Sequence, residues 1–207
     1  GLSVSDSYWV VPKGFEGSWD RYNLFDNDLD EILALVAYTG YTSSQRHEAG
    51  LSSEWTTDGT FPKCWRKIDG RLVLYKAGNP LNEGAANRDY SPYSEFLASQ
   101  ICDELGLEHV GYGLDMWRGR LAATCEAFTS PDISSVQLYH LTGSGSFADN
   151  LAILLALGDR SLLRSYIDII WFDALIANRD RHAGNIGFLR DNGSGALLGF
   201  APIYDNN

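Results

Sequence analysis

The most constraining feature of the sequence is a short polar stretch that follows a long apolar segment. Asp180 is followed five positions later by Asn185. A second carboxylate, Asp205, comes after two apolar runs that flank a Gly-rich turn at 191–195. Apolar runs around such a turn predict a hairpin. The pattern therefore predicts an Asp and an Asn at the foot of a hairpin and an Asp at its far end.

These three side chains have the chemistry that phosphoryl transfer requires. One carboxylate orients or deprotonates the attacking hydroxyl, while an amide oxygen and a second carboxylate hold Mg²⁺ against nucleotide phosphates. The Asp180-to-Asn185 spacing is that of a kinase catalytic loop. We therefore assign Asp180 to the hydroxyl, and Asn185 and Asp205 to the metal. The alternative is an ordinary polar turn between a helix and a strand, since these residue types are common in turns.

Composition narrows the classes of protein to which this chain can belong. With 207 residues it can bury a hydrophobic core as one domain or as two small lobes. Its 27 acidic residues outnumber 16 lysines and arginines, which gives a formal net charge of -11. This charge argues against broad binding to nucleic acid or to anionic membranes, whereas a few focused cations and Mg²⁺ still allow ATP to bind.

Cysteine usage and hydropathy indicate a cytoplasmic protein. The cysteines Cys64, Cys102 and Cys125 are isolated, and no Cys/His cluster suggests zinc. No apolar run reaches transmembrane length, and the first residues have neither the basic start nor the long apolar core of a signal peptide. We therefore expect a reduced cytosolic compartment and no membrane contact.

A lysine and a glutamate predict a further part of the site. The apolar stretch 71–76 has the pattern of a strand that ends in Lys76, and Glu95 lies one turn into a predicted helix. In kinases a strand lysine contacts the nucleotide phosphates and pairs with a helix glutamate. The alternatives are an edge lysine on solvent and a glutamate placed for the helix dipole. The chain order of lysine, glutamate, Asp180 and Asp205 favours the kinase interpretation.

A loop of small residues is a candidate phosphate contact. The residues Thr57, Asp58, Gly59 and Thr60 predict a turn between two strands. Their hydroxyls and backbone N–H groups can approach phosphate. The stretch matches neither GxxxxGK[ST] nor GxGxxG, so a plain hairpin is the alternative.

A candidate hinge follows two apolar stretches around residues 118–120. These stretches predict two strands, the second of which runs into a linker. Such a linker would serve as the hinge between two lobes, and adenine would pair with backbone groups near Glu126, Ala127 and Phe128. We assign Glu126 and Phe128 to nucleotide binding. Backbone recognition leaves no side-chain pattern, so position alone supports this assignment.

Apolar periodicity predicts several helices and the faces that they bury. The expected buried faces are Leu29, Ile32, Leu33 and Val36 in a first helix, and Phe96, Leu97, Ile101 and Leu105 in a second. The second helix is expected to have Ser91 as its cap and Pro92 as its first residue. A third helix over 161–177 is apolar nearly all round, which predicts that it is buried.

Four stretches together resemble the HipA-like serine/threonine kinases. These are bacterial kinases with a two-lobed protein-kinase-like fold, and their catalytic loop is also similar to that of phosphatidylinositol kinases. The stretches are 2–9, 56–65 with 74–76, 92–99, and 178–185 with 201–205. The last is the most specific, because Asn-Arg-Asp-Arg-His-Ala-Gly-Asn resembles the family's loop Asn-x-Asp-Asp-His-x-x-Asn.

The resemblance implies a role for each residue that matches the family's motifs. Asp180 corresponds to the catalytic base, Asn185 and Asp205 to the magnesium ligands, and Lys76 to the lysine on the ATP phosphates. His182 matches the family's loop histidine, and we group it with the catalytic residues. The resemblance implies that it fixes the shape of the catalytic loop. The implied cofactors are ATP and Mg²⁺.

The sequence also departs from the family's pattern. Arg181 stands where an Asp is common, and Asp-Arg-His is instead similar to the lipid-kinase loop, which leaves the substrate class open. The metal segment reads Tyr204-Asp-Asn-Asn rather than ending in Gly. The family's C-terminal helical bundle does not follow, so that an active kinase and an inactive fragment are both compatible with this sequence.

The sequence therefore predicts an α+β, protein-kinase-like two-lobed fold whose C-terminal lobe is incomplete. Residues 1–128 form the expected nucleotide-binding lobe, and residues 129–207 the partial helical lobe with the catalytic loop and metal strand. The predicted function is transfer of the γ-phosphoryl group of ATP to a Ser or Thr hydroxyl of a protein. The alternatives are a lipid or small-molecule kinase, and a pseudokinase or toxin–antitoxin module that binds an antitoxin-like protein partner. Direct binding to nucleic acid is not expected.

Overall fold

The structure, a computed structural model, describes residues 4–5, 7–39, 62–78, 90–143 and 145–206. The predicted phosphate loop at Thr57, Asp58, Gly59 and Thr60 lies outside the described residues, as does most of the stretch that precedes it. Within the described ranges the chain forms two antiparallel sheets, each combined with helices.

A four-stranded antiparallel sheet forms the first part of the fold. Its strands are β1 (Lys63–Ile68), β2 (Arg71–Ala77), β3 (Tyr112–Trp117) and β4 (Arg120–Glu126), in the spatial order β1-β2-β4-β3. A tight turn joins β1 to β2, and its residues Asp69 and Gly70 have φ angles of 50° and 79°. Asp and Gly are among the residues that adopt such angles at low cost, so the local sequence determines this hairpin.

Three helices accompany this sheet: α1 (Trp19–Tyr22), α2 (Glu31–Thr39) and α3 (Ser91–Leu105). Successive side chains of a strand point to opposite faces of the sheet. In β2, Tyr75 packs in a cluster with Ala34 and Tyr38 of α2. The next residue, Lys76, reaches Glu95 of α3 on the other face. The sheet therefore lies between α2 and α3.

A second, three-stranded antiparallel sheet is combined with helices. Its strands are β5 (Ile133–Gln137), β6 (Gly187–Asp191) and β7 (Leu197–Phe200), in that order, and its helices are α4 (Leu138–Thr142), α5 (Phe147–Leu157) and α6 (Arg160–Ile176). The hairpin of β6 and β7 around the Gly-rich turn was predicted from the sequence. Strand β5 was not, because its sequence Ile-Ser-Ser-Val-Gln is short and largely polar. The predicted lobe boundary near residue 128 stays a prediction.

The predicted buried face of the first long helix is wrong at Ile32. Among the described side chains of α2, Ala34 and Tyr38 are buried, whereas Ile32 is 54% exposed. Tyr38 packs on Trp117, with ring centroids 4.7 Å apart. An aromatic contact therefore helps to hold α2 on the sheet.

The predicted faces of the other two helices also need correction. Helix α3 buries Glu95 and the small residues Ala98, Ser99 and Cys102, while Leu97, Ile101 and Leu105 are exposed. Small side chains allow a helix to approach a sheet closely, and Glu95 must face the sheet to meet Lys76. Ser91 is the first helical residue and Tyr90 occupies the cap position. Helix α6 exposes Ile167, Trp171 and Leu175, so it is not buried all round.

Three apolar clusters hold these elements together. The largest joins α3, α5, α6 and the β6–β7 hairpin, and the second joins α2 to the first sheet. The third lies between them and contains Val110, Tyr112, Ala123 and Cys125, with Leu74, Phe128 and Tyr204 packed against it. This third cluster forms the inner wall of a cleft between the two sheets. Among the described residues, no helix is both long enough and apolar enough to cross a membrane.

Candidate active site

The cleft between the two sheets has a volume of about 660 Å³. It is bordered by β1, β2 and the end of β4, by the linker after β4, and by residues 184–185 and 204–205. Five of the residues that the sequence assigned to a site line this cleft: Lys76, Glu126, Phe128, Asn185 and Asp205. Glu95 lies behind it in contact with Lys76. Asp180 and His182 are not among the lining residues.

Lys76 is the centre of a buried group of charges. Its Nζ donates a hydrogen bond of 2.6 Å to Oε1 of Glu95, and a second one to Oδ1 of Asp205. Lys76 is 7% exposed and Glu95 is fully buried. The second oxygen of Glu95 accepts the backbone N–H of Asn206 at 2.9 Å. These contacts connect β2, α3 and the metal segment that the sequence predicted.

The charges in this group stabilise one another. Burial acts to lower the pKa of Lys76, but the Glu95 and Asp205 carboxylates outweigh it and raise this pKa above its usual value. Burial acts to raise the pKa of Asp205, but Lys76, followed by Lys63 and Arg181, holds it below its usual value. Burial raises the pKa of Glu95 against the opposing effect of Lys76. Lys76 is therefore cationic and Asp205 anionic at neutral pH.

The backbone of Asp205 adopts a left-handed conformation, with φ at 57°. Such conformations are uncommon outside glycine, although Asp tolerates them better than most residues. The Asp205 N–H donates to the hydroxyl of Tyr112 at 3.4 Å, and that ring is buried beneath the cleft. Non-glycine residues held in this way are frequent at functional sites.

Asp180 lies at the start of the predicted catalytic loop and is exposed. Its N–H donates to Oδ1 of Asn178 at 3.0 Å, and its carbonyl oxygen accepts from Nδ2 of Asn185 at 3.4 Å. Asp180 and Asn185 are therefore joined through the loop, although only Asn185 lines the cleft. Asp180 is therefore exposed to solvent and lies outside the lining of the cleft.

His182 organises the backbone of the same loop. Its Nδ1 accepts the N–H of Gly184 at 3.1 Å, and its carbonyl oxygen accepts the N–H of Asn185 at 2.8 Å. A Cβ atom at Gly184 would lie 2.9 Å from the His182 ring, so a larger residue there would displace the ring. These contacts give His182 a role in the shape of the loop.

The sequence analysis did not predict that the Arg181 side chain is buried in contacts with the protein itself. Its departure from the family pattern raised a question about substrate class, yet the side chain points inward and is 5% exposed. It forms a bidentate pair with Asp173 of α6, with Nε–Oδ2 and Nη2–Oδ1 distances of 2.9 Å and 3.0 Å. The sequence carried one signal, an Asp on a helix eight residues before an Arg, but such a pair is too common to identify alone.

The same guanidinium also connects the loop to the metal segment. Nη1 donates to the carbonyl oxygens of Asn185 and Tyr204 at 3.0 Å and 2.5 Å, and Nη2 donates to Oδ1 of Asn206 at 2.7 Å. One side chain therefore holds the backbone of Asn185, and the two residues on either side of Asp205, relative to α6. This assigns Arg181 to positioning of the site, since none of these contacts faces a substrate.

The predicted hinge follows β4, and its residues Glu126, Ala127 and Phe128 line the cleft. The Glu126 carboxylate is exposed and pairs with Arg71 at 2.5 Å. The Ala127 N–H donates to the carbonyl oxygen of Leu72 at 2.9 Å, so a nucleotide base would have to compete for this donor. The Phe128 ring packs on Tyr204, with centroids 5.5 Å apart.

The residues present fit a magnesium ion. Mg²⁺ prefers oxygen ligands and is commonly held by one or two protein groups together with phosphates and water. Asn185 and Asp205 both line the cleft and both carry side-chain oxygens. Among the described residues no group of three or more His, Cys, Asp or Glu side chains converges on one point. The donor set therefore suits Mg²⁺ shared with a nucleotide better than a metal held by protein alone.

The chain is similar to a known serine/threonine-protein kinase in both sequence and structure. No protein-family model matches the chain. The serine/threonine-protein kinase CtkA of Helicobacter pylori is 28% identical in sequence over 55% of this chain and 38% of the relative. The crystal structure of this proinflammatory kinase matches with a TM-score of 0.63 and 24% identity, covering 72% of this chain and 55% of the other.

A second solved structure shares the fold. HipA of Shewanella oneidensis, in a toxin–antitoxin complex with HipB and operator DNA, matches with a TM-score of 0.58 and 14% identity. The match covers 94% of this chain and 52% of HipA. The chain thus spans less than two thirds of each of these proteins. The mixed α/β fold with antiparallel sheets is the kinase-like fold of CtkA and HipA. Sequence similarity to CtkA, together with this shared fold, relates the chain to the HipA-like kinases.

Proposed function

We propose that the cleft binds Mg-ATP and that the protein transfers the γ-phosphoryl group to a Ser or Thr hydroxyl of a protein substrate. The observation that carries this proposal is the contact of Lys76, which lines the cleft, with both Glu95 and Asp205. A lysine held by a helix glutamate beside a metal-binding aspartate is the arrangement that kinases use for the nucleotide phosphates.

The cleft is lined by both apolar and charged side chains, which suit the two parts of ATP. The apolar and aromatic lining includes Leu74, Val110, Tyr112, Phe128 and Tyr204. The polar lining includes Lys76, Asn185 and Asp205. A purine packs well on apolar and aromatic side chains, whereas a triphosphate requires cations. We therefore place the base near the linker and the phosphates near Lys76.

Each charged residue then has a distinct role. Asn185 and Asp205 would hold the magnesium ion, which supplies neutralisation of phosphate charge. Lys76 binds a phosphate oxygen, and Glu95 keeps the lysine in position. Asp180 is exposed beside Asn185, so it can accept the proton of a hydroxyl on a macromolecular substrate. Catalysis in this chemistry is mostly positioning and charge stabilisation.

The acceptor and the partners are proposed from the relatives and from Arg181. CtkA is a serine/threonine-protein kinase, which supports a Ser or Thr acceptor. HipA is seen in a complex with HipB, which supports an antitoxin-like protein partner. The similarity of Asp-Arg-His to the lipid-kinase loop carries little weight for substrate choice, because Arg181 is bonded to the protein's own backbone and to Asp173.

The proposal predicts phosphate transfer by the full-length protein in the presence of Mg²⁺. We expect γ-labelled ATP to label a generic Ser/Thr protein or the enzyme itself, and phosphatidylinositol vesicles to remain unlabelled. The variant Lys76→Met should reduce transfer by about 100-fold or more, because it removes the cation on the phosphates. Lys13→Met, which removes an exposed lysine elsewhere, is the matched control.

Two outcomes would contradict this proposal. Label on the lipid but on no protein would show that the acceptor class is wrong. Nucleotide binding without any transfer, by protein whose melting curve shows a folded state, would support the pseudokinase alternative.

A further inference from the structure

Two departures of this sequence from the family's pattern are in contact with one another. Arg181 stands in the catalytic loop where an Asp is common, and Asn206 belongs to the metal segment, which reads Tyr204-Asp-Asn-Asn. The two residues are 25 positions apart, yet Nη2 of Arg181 donates a hydrogen bond of 2.7 Å to Oδ1 of Asn206. The Arg181 side chain is 5% exposed and Asn206 is 4% exposed. The two departures therefore form one buried contact.

Asn206 also contacts the glutamate that holds Lys76. The backbone N–H of Asn206 donates to Oε2 of Glu95 at 2.9 Å, while Oε1 of Glu95 accepts from Lys76 at 2.6 Å. The backbone of Asn206 is thus bonded to α3 and its side chain to the catalytic loop. Asn206 therefore joins the pair of Lys76 and Glu95 to the pair of Arg181 and Asp173.

These contacts hold the backbone on both sides of Asp205. Arg181 donates to the carbonyl oxygen of Tyr204 on one side and to the side chain of Asn206 on the other. Asp205 has a left-handed backbone, with φ at 57°. A residue other than glycine keeps such a conformation only where its surroundings enforce it. In this conformation the Asp205 carboxylate contacts Lys76 and lines the cleft.

The two polar atoms of the Asn206 side chain differ in their contacts. Oδ1 accepts from a guanidinium, and hydrogen bonds to charged groups are stronger than those between neutral groups. Nδ2 is buried and has no hydrogen-bond partner among the described residues, which costs stability. The contribution of this amide therefore lies in its acceptor, and the Arg181 contact is the one to test.

We propose that Asn206 is a positioning residue of the candidate active site, which holds Asp205 in its magnesium-binding orientation by accepting the hydrogen bond from Arg181. This inference rests on the proposed binding of Mg-ATP and adds a residue to it. Asn206 is not among the residues that line the cleft, so it acts through Asp205 and not by contact with the nucleotide. Loss of Oδ1 is therefore expected to weaken ATP binding only when Mg²⁺ is present.

The test measures ATP affinity by calorimetry with and without Mg²⁺, using the full-length protein. Asn206→Leu keeps the approximate size of the side chain and removes the acceptor. We expect it to weaken Mg-ATP binding by about tenfold, the lower end of the value of a hydrogen bond to a charged group. ATP affinity without Mg²⁺ should change by less than about twofold, because Lys76 and Glu95 keep their contact. Asn206→Asp, which retains an acceptor for Arg181, should keep most of the Mg-ATP affinity.

Asn150 provides the matched control for the loss of a buried amide. It is 2% exposed, lies on α5 away from the cleft lining, and also has one atom without a partner among the described residues. Asn150→Leu should leave the effect of Mg²⁺ on ATP affinity unchanged. Asn206→Ala replaces Asn206→Leu if a melting curve shows that the latter does not fold.

The possible outcomes separate this inference from the proposed function. If Mg²⁺ strengthens ATP binding equally in the wild type and in Asn206→Leu, the role of Asn206 is wrong and the proposed function stands. Equal weakening of ATP with and without Mg²⁺ would show a general structural effect, and so would Mg-ATP binding by Asn206→Asp that is as weak as that of Asn206→Leu; either result overturns the inference. If Mg²⁺ has no effect on the wild type, the proposed function fails and this inference fails with it.

Discussion

Replacing Arg181 with methionine is expected to destabilise the chain by about 3–5 kcal/mol, because breaking a buried ion pair leaves an uncompensated charge. The Arg181 and Asp173 side chains are 5% and 7% exposed. Methionine keeps much of the side-chain volume but removes every donor. Among the side-chain hydrogen bonds of the described residues, Asp173 would retain only the 3.0 Å bond from Nδ2 of Asn178.

Urea unfolding of Arg181→Met measures this loss. Arg179→Met is the matched control, because Arg179 lies in the same loop, carries the same charge and is exposed. We expect the control to cost less than about 0.5 kcal/mol. The double variant Asp173→Asn with Arg181→Met should cost less than the sum of the two single variants, since the pair acts as a unit. Equal unfolding curves for Arg181→Met and Arg179→Met would contradict the role assigned to Arg181.

The second large effect is expected for Asp180→Asn in the full-length protein. This change keeps the size of the side chain and removes the proton acceptor, so phosphate transfer should fall by about 10²–10⁴-fold. Affinity for Mg-ATP should remain within about twofold, because Asp180 is exposed and does not line the cleft. Single-turnover transfer from labelled ATP, together with calorimetry, separates the two effects.

The exposed residue Asp28 provides the control for this experiment. Asp28→Asn makes the same chemical change far along the sequence from the loop and should leave transfer unchanged. Transfer by Asp180→Asn at the wild-type rate would show that another group accepts the hydroxyl proton. Loss of nucleotide binding by this variant would instead show that Asp180 belongs to the binding site.

Local patterns in the sequence predicted the elements on which the site is built. The tight turn at Asp69-Gly70 and the hairpin around residues 191–195 depend on residues that favour turns, and both are present. Lys76 was recognised as the end of an apolar strand and Glu95 as a residue one turn into a helix, and the structure places them in contact. The order of Lys76, Glu95 and the two aspartates along the chain favoured the kinase interpretation more than any one of these residues did alone.

Features that depend on tertiary packing could not be predicted from local sequence patterns. The face that α3 buries is decided by close approach to the sheet and by the partner of Glu95, so its large aliphatic residues are exposed. In the sequence, Arg181 was only a departure from the family's motif. Its role could not be predicted, because its five hydrogen bonds reach three separate segments of the chain. The strand register that places Lys63 opposite Lys76 was likewise not predicted from the sequence.

The most direct test of the proposed function is the affinity of the full-length protein for ATP with and without Mg²⁺, measured for the wild type and for Asp205→Ala. We predict that Mg²⁺ strengthens ATP binding to the wild type by at least about tenfold, because the metal joins the phosphates to Asn185 and Asp205. Asp205→Ala should lose this enhancement, since it removes the charged ligand. ATP affinity that is equal with and without Mg²⁺ in the wild type, or an undiminished Mg²⁺ effect in Asp205→Ala, would contradict the proposed function.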